Sequence, residues 1–136
     1  MAGLVFPKSG PRIDKSHGER LVWKALHAGL PDGWQAWHSL RLRDGARWEG
    51  EGDFVVAVPG RGLLVLEVKG GRVECRDGLW FQNGKKIKAP REQAQRFVRR
   101  LVEAVEATGA KVPGFGVACF FPEVEFSEGP ASGDLA

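Results

Sequence analysis

Asp53, Glu67 and Lys69 are the residues whose types and spacing could do chemistry. Asp53 stands at the mouth of the apolar run Phe54–Val58, in the string Gly50-Glu51-Gly52-Asp53. Glu67 and Lys69 close the next apolar run, as Leu66-Glu67-Val68-Lys69. Each run reads as a buried strand, and Pro59-Gly60-Arg61-Gly62 between them as a tight reversal. Residues two apart on a strand share a face and lie about 6.6–6.8 Å apart. Glu67 and Lys69 therefore point one way, and Leu64, Leu66 and Val68 the other. Charges at the end of an apolar strand are expensive to bury unless they are paired or bound to a metal. A tight hairpin brings Asp53 close to both. Two carboxylates converging beside a lysine could hold a hard divalent cation such as Mg²⁺, which takes oxygen ligands and keeps several waters. Lys69 could then orient or help deprotonate a metal-bound water, and stabilise charge on a phosphate. The alternative is a salt bridge from Lys69 to Asp53 or Glu67 at a strand end, since an isolated Glu-x-Lys is common.

Two further polar residues stand at helix starts. Ser16 can cap a helix, with Glu19 completing a capping box, and Val22, Trp23, Ala25 and Leu26 form its apolar stripe before Gly29 and Pro31 end it. Glu19 precedes Val22 and Leu26 by three and seven residues. Pro90 opens a long helix, a position that suits proline, with the stripe Ala94, Phe97, Val98, Leu101, Val102 and Val105 and a stop at Gly109. Gln93 precedes Phe97 and Leu101 by four and eight, which predicts the buried side of that helix. Both polar groups are expected to face inward. A capping glutamate and a backbone-satisfied glutamine are the plainer readings.

The elements that must position these groups follow from periodicity. Residues 1–12 read as an arm or loop. Trp34–Leu42 alternates as a strand, with Trp34, Ala36, His38, Leu40 and Leu42 on one face. Arg43–Gly52 reads as a polar, glycine-rich loop. Arg72–Arg76 and Leu79–Gln82 flank Asp77-Gly78, a strong hairpin signal, and Lys85–Lys88 continues the meander. Phe115–Phe121, apolar on both faces, reads as an internal strand. Trp34, Trp37 and Trp80 are expected in the core, Cys75 and Cys119 as small buried hydrophobes, and His17 and His38 as structural.

The chain has 136 residues, enough for one domain with a real core. Charged residues are 27% and hydrophobic residues 43%, as in an ordinary globular protein. The 19 glycines lie between apolar runs and mark turns. Two distant cysteines, without CxxC or a Cys/His cluster, leave no basis for a disulfide scaffold or zinc ribbon. With no signal-peptide pattern and no apolar stretch of membrane-spanning length, a cytoplasmic, reducing setting is expected. Net charge is only +3. From Lys85 to Arg100, however, there are seven basic residues (Lys85, Lys86, Lys88, Arg91, Arg96, Arg99, Arg100) against Glu92. A cationic face of this kind is the footprint of a polyanion partner or simply a solvated helix face.

The "GE" of the first helix, "GEGDFVVAV", "LLVLEVKGG", Trp80 and "APREQAQRFVRRL" together resemble the nuclease-related domain (NERD) of the PD-(D/E)XK nuclease superfamily, over roughly residues 14–121. The resemblance implies an α/β, restriction-endonuclease-like mixed central β-sheet flanked by helices, with an α-β-β-β-α-β core. It implies Asp53 and Glu67 as metal ligands, Lys69 as the catalytic lysine, and Glu19 as the helix-borne acid of resolvase-like members, near the metal or its waters. Gln93 would position the lysine, water or phosphate. The superfamily's Pro-Asp is here Gly52-Asp53. The expected layout is an arm at 1–13, the domain at 14–122 and an acidic tail or linker at 123–136.

The resulting expectation is a Mg²⁺- or Mn²⁺-dependent nuclease domain that hydrolyses DNA, with the basic residues on the phosphates. A homodimer would supply two sites for two nicks, and relatives fused to helicase or kinase domains suggest such a companion. No GxxxxGK[ST] motif is present. The rivals are a nucleic-acid-binding module without turnover and the N-terminal piece of a longer DNA-processing protein.

Overall fold

A computed structural model describes residues 3–7, 17–44 and 47–124. The elements are β1 (Leu4–Phe6), α1 (His17–Gly29), β2 (Gln35–Asp44), β3 (Arg47–Val58), β4 (Gly62–Val68), β5 (Val73–Arg76), β6 (Leu79–Gln82), β7 (Lys85–Ile87), α2 (Pro90–Glu106) and β8 (Phe115–Phe120). Five strands form a mixed sheet in the order β1-β2-β3-β4-β8, and β5-β6-β7 form a small second sheet. The α/β fold, a mixed sheet flanked by helices, is the one expected.

The core has two layers. On one face Val22 and Trp23 of α1 pack on Ala36, Phe54, Val56 and Val68. On the other, Ala94, Phe97, Val98 and Leu101 of α2 pack on Val55 and Val65. Burying each of the larger side chains is worth about 1.5–3 kcal/mol. The β3–β4 reversal needs its glycines. Gly62 has φ +122, and a Cβ there would lie 1.8 Å from the Gly114 carbonyl oxygen. The Asp77-Gly78 turn has both residues at positive φ, as does Asn83-Gly84 between β6 and β7, which is what a two-residue hairpin favours.

Several expectations are corrected. The arm contains strand β1, parallel to β2. Arg47–Gly52 is part of β3 rather than loop, because it pairs back along β2 as far as Asp44. The alternation of β2 breaks at Ser39, which has φ 57. Ala36 packs in the α1 layer, but Leu40 and Leu42 pack with Trp37 in the α2 layer. A residue in the left-handed region shifts the strand's phase. Among the described residues strand β8 lies at the sheet edge, paired with β4, and its ends Phe115 and Phe120 are exposed. Cys75 is exposed, because β5 belongs to the small outer sheet. Ser16 and most of the tail lie outside the described residues.

Candidate active site

The register of β3 and β4 pairs Phe54 with Leu66, so one step outward Asp53 and Glu67 face each other at the end of the hairpin. Asp53 Oδ2 accepts a hydrogen bond from the Val68 N–H at 2.8 Å. Lys69 Nζ lies 3.1 Å from Glu67 Oε1, with the two side chains 17% and 4% exposed. The Lys69 N–H donates to the Phe120 carbonyl at 2.9 Å, tying the strand end to β8. The three residues singled out first in the sequence therefore converge.

Their electrostatics are strained. Burial, then the charge of Glu67, pushes the Asp53 carboxyl up to about 7, against the Val68 N–H and Lys69. Burial also raises Glu67, against the charge and hydrogen bond of Lys69 and a hydrogen bond with Asp53. Two carboxylates this close cannot both ionise cheaply, so near neutrality they share a proton.

Glu19 is buried in the first turn of α1, and His38 Nε2 lies 3.0 Å from its Oε1. The His38 ring stacks on Phe54 at 4.7 Å and meets the Trp23 edge at 6.1 Å. Packing thus fixes His38, and His38 holds Glu19. The negative charge of Glu19 raises both Asp53 and Glu67, so the third acid stands near the pair. Even so, among the described residues no group of three His, Cys, Asp or Glu side chains is arranged to hold a metal ion.

Gln93 departs from expectation. It is exposed rather than on the buried side of α2. Its side chain lines a cleft of about 340 Å³ together with Gly50, Glu51, Lys88, Arg96 and Arg100. No hydrogen bond joins it to Asp53, Glu67 or Lys69. Pro90, Ala94, Phe97, Val98 and Leu101 form the buried face of α2, and Gln93 in its first turn lies at the rim.

The basic residues divide. Lys88, Arg96 and Arg100 line that cleft. Arg91 lies close enough to Cys119 to lower its thiol. Lys85 and Lys86 are exposed on β7, and Arg99 on α2.

Two contacts were not legible in the sequence. Cys119 pairs with Glu67 across the parallel β4–β8 ladder, and its thiol is raised by burial and then by Glu67. Ser39 Oγ donates to Glu51 at 2.7 Å, and Arg41 Nε to the same carboxylate at 2.9 Å. The alternating pattern of β2 could not reveal the second contact, because the phase shift at Ser39 is a backbone event.

A family model described as the nuclease-related domain matches residues 14–121. No curated protein and no solved structure matches the chain.

Proposed function

The chain belongs to the nuclease-related domain family, and from that premise we propose that it is a metal-dependent nuclease hydrolysing DNA phosphodiester bonds. The observation that carries this reading is half-buried Asp53 facing buried Glu67, with Lys69 against the pair. Structural ion pairs are usually arranged to cancel charge. Here burial, and then the charge of a second acid beside the one lysine, push the Asp53 carboxyl up to about 7.

The donor set fits Mg²⁺ or Mn²⁺. It is all oxygen, two carboxylates suffice because such ions keep waters and take substrate oxygens, and a cation would relieve the repulsion within the pair. Asp53 and Glu67 would hold the ion, with Glu19, steadied by His38, behind them. A bound ion supplies Lewis-acid polarisation of the phosphate and an acidified water. Glu67 keeps Lys69 at the strand end, where its ammonium can stabilise charge on the phosphate or, once deprotonated, accept a proton from the attacking water. Lys85, Lys86, Lys88, Arg91, Arg96, Arg99 and Arg100 would neutralise backbone phosphates, and Gln93 would contact the strand from the cleft. On this reading the protein works in the cytoplasm in DNA processing, repair or defence, alone or beside a helicase, and a homodimer would allow paired cuts. No helix among the described residues is long and apolar enough to cross a membrane.

A nucleic-acid-binding module without turnover is favoured by one observation, the lack of a three-ligand group among the described residues. Closed circular single-stranded and supercoiled duplex DNA, incubated with Mg²⁺, Mn²⁺ or EDTA, separates the two. We expect cutting of circles in metal, none in EDTA, and a loss of about 10²-fold or more in Asp53→Asn. Retardation of DNA in a gel with no cutting in any metal would instead establish the binding module.

A further inference from the structure

The cleft between the start of β3 and the first turns of α2 is not used by the acid pair itself. It encloses about 340 Å³, within the range of about 300–1,000 Å³ typical of small-ligand sites. Beside it β3 and α2 approach closely because Gly50 and Gly52 carry no side chains. A Cβ on Gly52 would lie 2.5 Å from the Phe97 ring, and one on Gly50 3.4 Å from it. Phe97, itself 5% exposed, is the floor.

The walls supply polar groups. Lys88, Arg96 and Arg100 are cationic, and Gln93 offers an amide with both donors and an acceptor. Glu51 also lines the cleft, but its carboxylate is answered from β2 by Ser39 Oγ at 2.7 Å and Arg41 Nε at 2.9 Å. Among the described lining residues, Lys88 and Arg96 are exposed cations beside Arg100, with Glu92 the acid opposite them.

Position gives the cleft its meaning. Glu51 is two residues before Asp53 on the same strand, about 6.8 Å away by strand rise. That is about one nucleotide along an extended strand from a phosphate held at Asp53 and Glu67.

We propose that this cleft takes one unpaired nucleotide beside the phosphate to be cut, so that the preferred substrate is a strand with unstacked bases rather than an intact duplex. Stacked and paired bases present a convex surface and cannot enter a recess between a strand and a helix. A nucleotide freed from the stack can enter, at little cost where it is already unpaired. Arg96, Arg100 and Lys88 take its phosphate, and Gln93 meets a base edge.

The inference rests on the nuclease reading for its biological sense, but its test needs no turnover. Fluorescence anisotropy in EDTA compares a labelled oligothymidylate with a closed hairpin duplex of equal phosphate number. Arg96 is exposed, so Arg96→Leu is expected to fold, and a thermal melt checks it. We expect Arg96→Leu to weaken the single strand about tenfold, as loss of one charged hydrogen bond would, and the duplex far less. Lys85→Ala, outside the cleft, should weaken both alike. Thymidine monophosphate should displace the single strand at concentrations where inorganic phosphate does not. Equal losses on both substrates, or equal competition by phosphate, would overturn the cleft assignment while leaving the nuclease reading intact. Strand preference without any cleavage in metal would do the reverse.

Discussion

At the scale of single residues, the account turns on a carboxyl held out of its ordinary range. The folded value of Asp53, about 7, lies above its ordinary 3.8. For a raised value the sign is fixed: the stabilising contribution is complete below the unfolded value and is lost as pH rises through the folded one. In EDTA the protein should therefore melt several degrees lower at pH 8 than at pH 5. Asp53→Asn keeps an oxygen for the Val68 N–H but carries no charge, so it should flatten that slope in a series of thermal melts while abolishing cleavage. Mn²⁺ should raise the melting temperature of the parent at pH 8 and not that of Asp53→Asn. At 100 times its dissociation constant the gain is about 2.7 kcal/mol. A slope unchanged by Asp53→Asn would place the strain elsewhere. His38 belongs to the same scale. It is packed between Phe54 and Trp23 and bound to Glu19, so His38→Ala should cost about 2–4 kcal/mol in denaturant unfolding, from the cavity and from the lost hydrogen bond to a buried carboxylate.

At the scale of elements, the hairpin and the two helices deliver the groups. The register Phe54↔Leu66 alone sets Asp53 opposite Glu67. Gly62 makes that register possible by letting the turn approach Gly114. Gly62→Ala should destabilise by more than the ~1 kcal/mol of an ordinary glycine replacement, and should lower activity with it, as urea titration and cleavage rates on one preparation would show. Much of this level was legible in sequence. Two apolar runs, a proline–glycine reversal and charges at one end suffice to bring Asp53, Glu67 and Lys69 together, because hairpin pairing is local. Helix periodicity likewise placed Ala94, Phe97 and Leu101. What failed was what periodicity cannot encode. The exposed setting of Gln93 depends on the exact rotation of the first turn of α2. The phase shift of β2 depends on Ser39 taking a positive φ that nothing in its residue type demands. The edge position of β8 is a matter of strand order, and apolar residues on both faces describe a strand flanked by a helix as well as an internal one. Glu51–Arg41 and Cys119–Glu67 are cross-strand contacts that only the register reveals.

At the scale of the whole molecule, the net charge of +3 says little, but seven basic residues gather on β7, α2 and the link between them, the surface proposed to meet phosphate. Binding to DNA should be steeply salt-dependent, and removing one phosphate-contacting residue should reduce the slope of log K against log salt by about 1. Lys88→Ala and Arg96→Leu should each do so in anisotropy titrations between low and physiological salt, and a slope unchanged in both would mean that this face does not meet the backbone. The family, the mixed sheet and the convergent acids all bear on one claim, that this chain cuts phosphodiester bonds with Lys69 as part of the machinery. The most direct measurement is the single-turnover cleavage rate of a closed circular DNA in Mn²⁺ by the parent and by Lys69→Ala, each shown to be folded by its melt. The account predicts cleavage by the parent and a rate at least about 10²-fold lower in Lys69→Ala. Equal rates, or no cleavage by either protein, would contradict it.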